Sequence, residues 1–196
     1  MLISELRSRF HRLYKVALRR RLRAHIKNGG LIAYATASCF GLGCDPGNPK
    51  AIKRLLRVKS RPQHKGLILI AQDFDHLSSF VTPLTSSQRQ KAEKKWPGPH
   101  TWLMSASPKV FRSVRGRSNK VAVRVDAHPD AVGVCRIVDK AVISTSLNRS
   151  GRVPVRSYRE ARRQFGGQVL VLPGRISRSR KPSTIQDFTT ARIVRK

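Results

Sequence analysis

Gly29-Gly30-Leu31-Ile32-Ala33-Tyr34 opens the stretch that decides the fold, and Leu67-Ile68-Leu69-Ile70-Ala71 closes it. Both runs are short, apolar and bounded by glycine, the pattern of buried strands. Between them, Ala35-Thr36-Ala37-Ser38-Cys39-Phe40-Gly41-Leu42-Gly43 is small and hydroxyl-bearing, so backbone and side-chain hydroxyls can approach a ligand closely. A helix follows over residues 49–58, with Ala51, Ile52, Leu55 and Leu56 on one face. It delivers the loop Lys59-Ser60-Arg61-Pro62-Gln63-His64-Lys65-Gly66. Three cations in seven residues, held between a helix and a buried strand by Pro62 and Gly66, point to an anion site. A solvated basic loop is the competing reading, and the loop alone does not separate them.

Working outward, strands and helices keep alternating. Residues 73–80 and 86–95 read as short helices, and Trp96-Pro97-Gly98-Pro99 as a rigid turn before a strand at 101–104. Residues 111–120 form a basic loop, and 121–125 alternate as a strand does. A helix over 131–138, a strand at 141–143, a helix over 157–164 and a strand at 169–172 complete the pattern. Arg175 to Lys181 is a polar connection. Alternation of this kind predicts an α/β layered fold. Upstream, apolar residues from Leu2 to Ile26 recur at helical spacing among arginines, and Asn28-Gly29-Gly30 caps the helix.

Length and charge set further bounds. A chain of 196 residues suits one domain that buries about 70% of its unfolded surface. With 41 Lys and Arg against 10 Asp and Glu, the net charge of +31 attracts phosphate-bearing partners, nucleic acid included. Three cysteines without a CxxC pair fit a reducing, cytoplasmic compartment, and no His spacing reads as a metal site. No apolar run reaches the length of a membrane span. Walker A and Ser-His-Asp patterns are absent, and acidic pairs are too scarce for glycosidase chemistry. The cations and hydroxyls that remain favour binding and polarising an anion.

Several blocks resemble the YrdC/TsaC family of threonylcarbamoyl-AMP synthases. They are Gly30–Tyr34, Phe40–Pro46, Leu56–Pro62, Lys65–Ile70, Trp96–Pro99, Val121–Arg124 with His128-Pro129, Ser144–Gly151 and Pro182–Ile185. The resemblance implies a domain over residues 16–196, a twisted mixed sheet flanked by helices around a basic central cavity, with residues 1–15 as a basic amphipathic extension. It implies a nucleotidyltransferase that joins L-threonine, bicarbonate or CO2 and ATP into threonylcarbamoyl-AMP and pyrophosphate, with Mg2+ carried by ATP. Carried over residue by residue, Lys59, Arg61, Ser146 and Asn148 are catalytic and, with Lys65 and Arg195, bind ATP. Thr36, Ser38, Arg124, Ser144 and Ser183 fall where the family holds threonine. The product would serve N6-threonylcarbamoyladenosine formation at position 37 of tRNA, through downstream threonylcarbamoyl-transfer proteins. A non-catalytic relative binding tRNA or double-stranded RNA in ribosome maturation is the alternative. One departure stands out: the family's Pro-Thr-Glu reads Ala35-Thr36-Ala37 here. That change frees the backbone and removes a carboxylate near the substrates.

Overall fold

The computed structural model describes residues 16–178 and 181–196, so the expected extension over residues 1–15 lies outside them. A helix over residues 16–27 (α1) buries Leu22 and Ile26, one turn apart, and ends at Gly29, whose φ of 76° is the left-handed cap the sequence predicts. Strands β1 (Ile32–Ala35) and β2 (Phe40–Gly43) form a tight antiparallel hairpin, so the small-residue stretch is itself half strand. Its low strand propensity conceals this. The Tyr34 ring lies across Gly41 and Gly43, where any side chain would crowd it.

Helix α2 (Pro49–Lys59) begins as its sequence dictates. The Asn48 side chain accepts from the Ala51 N–H at 3.0 Å, and Pro49 occupies the first turn. Its buried stripe runs Ala51, Ile52, Leu55 and then Lys59, before Ser60 turns left-handed at φ 51° and stops the helix. Burial of Ile52 and Leu55 is worth about 1.5–3 kcal/mol each. Strand β3 (Ile68–Ala71), helix α3 (Asp75–Ser78), helix α4 (Ser86–Glu93) and strand β4 (His100–Ser105) follow. The expected basic loop at 111–120 contains a short helix, α5 (Arg112–Arg115), and leads into β5 (Lys120–Val125). Helix α6 (Pro129–Val138), strand β6 (Val142–Ser146), helix α7 (Tyr158–Phe165) and strand β7 (Leu170–Val171) come next. Two strands without a sequence signal, β8 (Thr184–Asp187) and β9 (Ile193–Arg195), end the chain.

These nine strands join one mixed sheet in the order β7-β1-β2-β6-β3-β5-β4-β8-β9. Its two faces bury separate cores. Ala33, Leu42, Leu69, Ile143 and Val123 point to the α2 side with Ile52 and Leu55. On the other face, Ile32, Tyr34, Ile70 and Val142 pack under Leu22 and Ile26 of α1 and under Ala131, Val134 and Cys135 of α6. Side chains alternate along a strand, so this second face continues through Ile68, Ser144, Ser146, Ala122 and Arg124. There the composition turns from aliphatic to hydroxyl and cationic. The site lies on that stretch.

Candidate active site

A cavity of about 520 Å3 lies over this polar stretch, within the range of small-molecule sites. Strand β5 shows how the sequence builds its floor. Val121, Val123 and Val125 are buried toward α2, whereas Lys120, Ala122 and Arg124 alternate into the cavity wall. Strand β6 contributes Ser144 and Ser146, and the turn after β1 contributes Thr36 and Ser38. That turn is closed by the Thr36 hydroxyl and N–H, which both donate to the Cys39 carbonyl at 2.7 and 3.1 Å. Arg61 and Lys65 come from the loop after α2, Ser183 from the approach to β8, and Arg195 from β9. Nine of the eleven residues singled out in the sequence therefore line one cavity, although they come from both ends of the domain.

Lys59 and Asn148 are the two that do not line it. Lys59 is the last residue of α2 and only 3% exposed, so it is a core residue and not part of a loop. Its ammonium donates to the Ser146 carbonyl at 2.5 Å, to the Asn148 side-chain oxygen at 2.8 Å, to Ser146 Oγ at 3.1 Å and to the Asn148 carbonyl at 3.3 Å. Ser146 Oγ in turn donates to Asn148 Oδ1 at 2.6 Å. The Asn148 amide donates to the carbonyls of Arg149 and Arg152. Burial, and next the neighbouring Arg61, pull the Lys59 ammonium down to about 8, while the oxygens around it favour the charged form. A spacing signal for this burial existed: Ala51, Leu55 and Lys59 stand four apart on one helix face.

The guanidiniums are held by backbone oxygens. Arg61 donates through Nε and Nη2 to the Gly66 carbonyl, at 3.2 and 3.0 Å, and through Nη2 to that of Lys65. Arg195 grips Ser183, at 2.8 Å to its carbonyl and 3.1 Å to its hydroxyl, and the Thr101 hydroxyl supports that contact at 2.9 Å. Burial lowers the Arg61 and Arg195 guanidiniums, and Arg195 also feels Arg124 and Arg61. Partly desolvated like charges facing one another are costly unless an anion joins them. The wall also carries His64, Arg115, Lys120 and Arg156, none of them singled out for the site from the sequence. Lys120 is paired with Asp187 at 2.5 Å, a bond that holds the Asp187 carboxyl down to about 2. Asp126, paired with Arg124, is the other acid sequence reading missed.

Seven Lys and Arg side chains stand on the wall among apolar residues such as Leu67, Ile68 and Val114, and its one thiol, Cys39, is pushed up by burial and stays protonated. Among the described residues no three His, Cys, Asp or Glu side chains gather as metal ligands. An α/β sheet with such a cavity on the part of one face that α1 and α6 leave open has the groups to align a small anionic ligand and neutralise its charge. Comparison with known proteins narrows this reading. The chain belongs to the Sua5/YciO/YrdC family, whose model, described as "Telomere recombination", matches residues 24–196. The Threonylcarbamoyl-AMP synthase of Methylobacillus flagellatus is 54% identical over 176 residues, 90% of this chain and 98% of that protein. Its namesake from Chromobacterium violaceum is 48% identical over 178 residues, covering 91% and 92%. Among solved structures, P. abyssi Sua5 complexed with L-threonine superposes with a TM-score of 0.80 at 28% identity, covering 87% of this chain. The chain spans about half the length of that protein, 51%. E. coli YciO, at 23% identity and a TM-score of 0.79, shares the fold over 92% of this chain and 89% of its own.

Proposed function

We propose that this chain is a threonylcarbamoyl-AMP synthase. The observation that carries the reading is one cavity lined by Ser146, Arg61, Arg124 and Arg195, with Lys59 and Asn148 holding Ser146 from behind its wall. L-Threonine and CO2 give a carbamate with loss of a proton; bicarbonate gives the same carbamate with loss of water. The carbamate oxygen attacks the α-phosphorus of ATP, the bond to the bridging oxygen breaks, and pyrophosphate leaves. Arg124 takes the threonine carboxylate, and the hydroxyls of Thr36, Ser38, Ser144 and Ser183 surround the amino acid. Lys65, Arg61 and Arg195 neutralise the phosphates, with Arg61 able to fork onto two oxygens. Lys59, read from the sequence as a phosphate contact, instead fixes Ser146 and Asn148 from behind. Mg2+ travels with the phosphates of ATP. Such a transfer depends on alignment and charge neutralisation more than on a covalent nucleophile.

The product is an activated threonylcarbamoyl group, passed by downstream transfer proteins to tRNA adenosine 37. The buried free thiols Cys39, Cys44 and Cys135 suit a cytoplasmic setting. None of the described helices is long and apolar enough to cross a membrane. Incubation of the protein with ATP, L-threonine and bicarbonate, followed by pyrophosphate detection and mass spectrometry of the adenylate, tests the reading. Pyrophosphate release that is the same without threonine, or a mixture that holds no threonylcarbamoyl adenylate, overturns it.

A further inference from the structure

Asp126 lies just beyond β5, two positions after Arg124, and its side chain is almost wholly buried. One carboxylate oxygen accepts the His128 N–H at 2.9 Å, and the other pairs with Arg124 Nη2. Its own N–H donates to the Ala71 carbonyl at 3.0 Å, extending the β3–β5 pairing by one step. The carboxylate is therefore fixed to the sheet through its backbone and through His128. Arg124, by contrast, ends a long side chain with about 2 kcal/mol of rotamer entropy to lose. It shares the cavity wall with Arg61 and Arg195, and its charge is felt by Arg195, a repulsion that favours swinging it away. Its Nε is buried with no hydrogen-bond partner among the described residues, so Asp126 is the acceptor that holds the guanidinium at the cavity wall. Asp126 does not line the cavity, so it acts on the site only through Arg124.

We infer that Asp126 is a positioning residue for amino-acid recognition, anchoring the Arg124 guanidinium so that its cavity-facing edge meets the substrate carboxylate. The inference rests on reading Arg124 as the carboxylate partner. Two effects of opposite sign compete. The negative charge of Asp126 weakens the pull of Arg124 on a carboxylate, whereas the anchor removes the cost of ordering it. Arg61 and Arg195 keep the cavity cationic whether or not Arg124 is neutralised, so the anchor decides.

The test compares wild type, Arg124→Gln, Asp126→Asn and the double variant by L-threonine binding calorimetry, KM for threonine and for ATP, and urea unfolding. The amide introduced by Asp126→Asn keeps the shape but presents one oxygen to two donors. Asp126→Asn is expected to raise Kd and KM for threonine about tenfold, with KM for ATP within about twofold of wild type. In the Arg124→Gln background it should add less than about twofold, because the anchored group is gone. L-Threoninamide, which lacks the carboxylate, should bind wild type and Asp126→Asn equally weakly. Should Asp126→Asn not fold, Asp126→Ser, which retains an acceptor for the His128 N–H, takes its place. If Arg124→Gln leaves threonine binding unchanged, the reading of Arg124 fails first. If Arg124→Gln weakens binding while Asp126→Asn leaves it alone or tightens it, the anchor is refuted. Equal losses for ATP and threonine with a lower unfolding midpoint would make Asp126 merely structural.

Discussion

Lys59 and Asn148, 89 positions apart in the chain, meet at 2.8 Å beneath the cavity, and both oxygens of Ser146 share the same ammonium. One buried cation thus ties the end of α2 to the end of β6 and to the turn that follows.

Loss of that cation leaves the oxygens of Ser146 and Asn148 without their donor. Lys59→Met is expected to lower stability by about 1–3 kcal/mol in urea unfolding, since buried acceptors lose their partner. Pyrophosphate release should fall about 10²-fold through misplacement of Ser146 and Asn148. An unfolding midpoint equal to wild type contradicts the buried network.

A carboxylate restored at the turn tests the Ala35-Thr36-Ala37 departure. Ala37 is half-buried in a turn already closed by Thr36 and Cys39, so Ala37→Glu should change stability by no more than about 0.5 kcal/mol. Turnover is expected to rise, read as pyrophosphate release at saturating threonine. Lower or equal turnover means that the cavity is complete with Ala37.

Far from the site, His76 bridges Asp73 at 2.6 Å and Asp139 at 3.2 Å, joining α3 to the residue that caps α6. Its bond to Asp73 raises the imidazole above its ordinary 6.5. A raised folded value means stability that is fully present below about 6.5 and lost as pH climbs through the shifted value. Wild type should therefore exceed His76→Gln in melting temperature at about pH 5.5 and lose that advantage by about pH 8. His76 is half-buried but both carboxylates reach solvent, so screening keeps the gain within about 1 kcal/mol. A difference between the two proteins that does not vary with pH rules the bridge out as its source.

Tyr34 poses a different question. Its hydroxyl is buried with no hydrogen bond of ordinary geometry among the described residues, although the Ser144 side chain lies near enough to act on it, and burial holds it protonated far above its ordinary range. Tyr34→Phe removes an unsatisfied group and keeps the ring over Gly41 and Gly43, so stability should be unchanged or higher. A loss above about 1 kcal/mol in chemical denaturation indicates a bond made by that hydroxyl in solution.

The net charge of +31 predicts RNA binding with little sequence preference and a log–log salt slope of roughly −0.7 to −0.9 per phosphate contact. Arg115 and Lys120, part of the basic 111–120 stretch, belong to the cavity, so Arg112 and Arg117 remain for that surface. Pyrophosphate release should vary far less over the same salt range. RNA affinity that ignores salt would remove the electrostatic account.

The sheet–helix alternation was legible because each apolar run carries its own period, as in Val121 to Val125. Gly41 and Gly43 hid β2, because glycine has low strand propensity and the pairing of β2 with β1 and β6 is not written in the stretch itself. Strands β8 and β9 were hidden for another reason: they sit at the sheet margin and carry few buried side chains. Arg61, Ser146 and Arg195 came from family resemblance, since no local pattern links residues so far apart. Lys59 was misplaced because lysine is rarely buried, although its place on the α2 stripe was visible. Asp126 escaped because a lone acid has no meaning until its neighbour two positions back is seen to pair with it.

Strand β6 changes character along its length, from Val142 and Ile143 under the helices to Ser144 and Ser146 in the cavity. The two ends answer to different selective pressures. A substitution at 146 reaches the held molecule and the buried Lys59 ammonium together, and one at 144 acts beside the buried Tyr34 ring. Substrate preference in such a domain therefore cannot drift freely along this strand: each step toward a new ligand is also a change in the join that keeps the scaffold together.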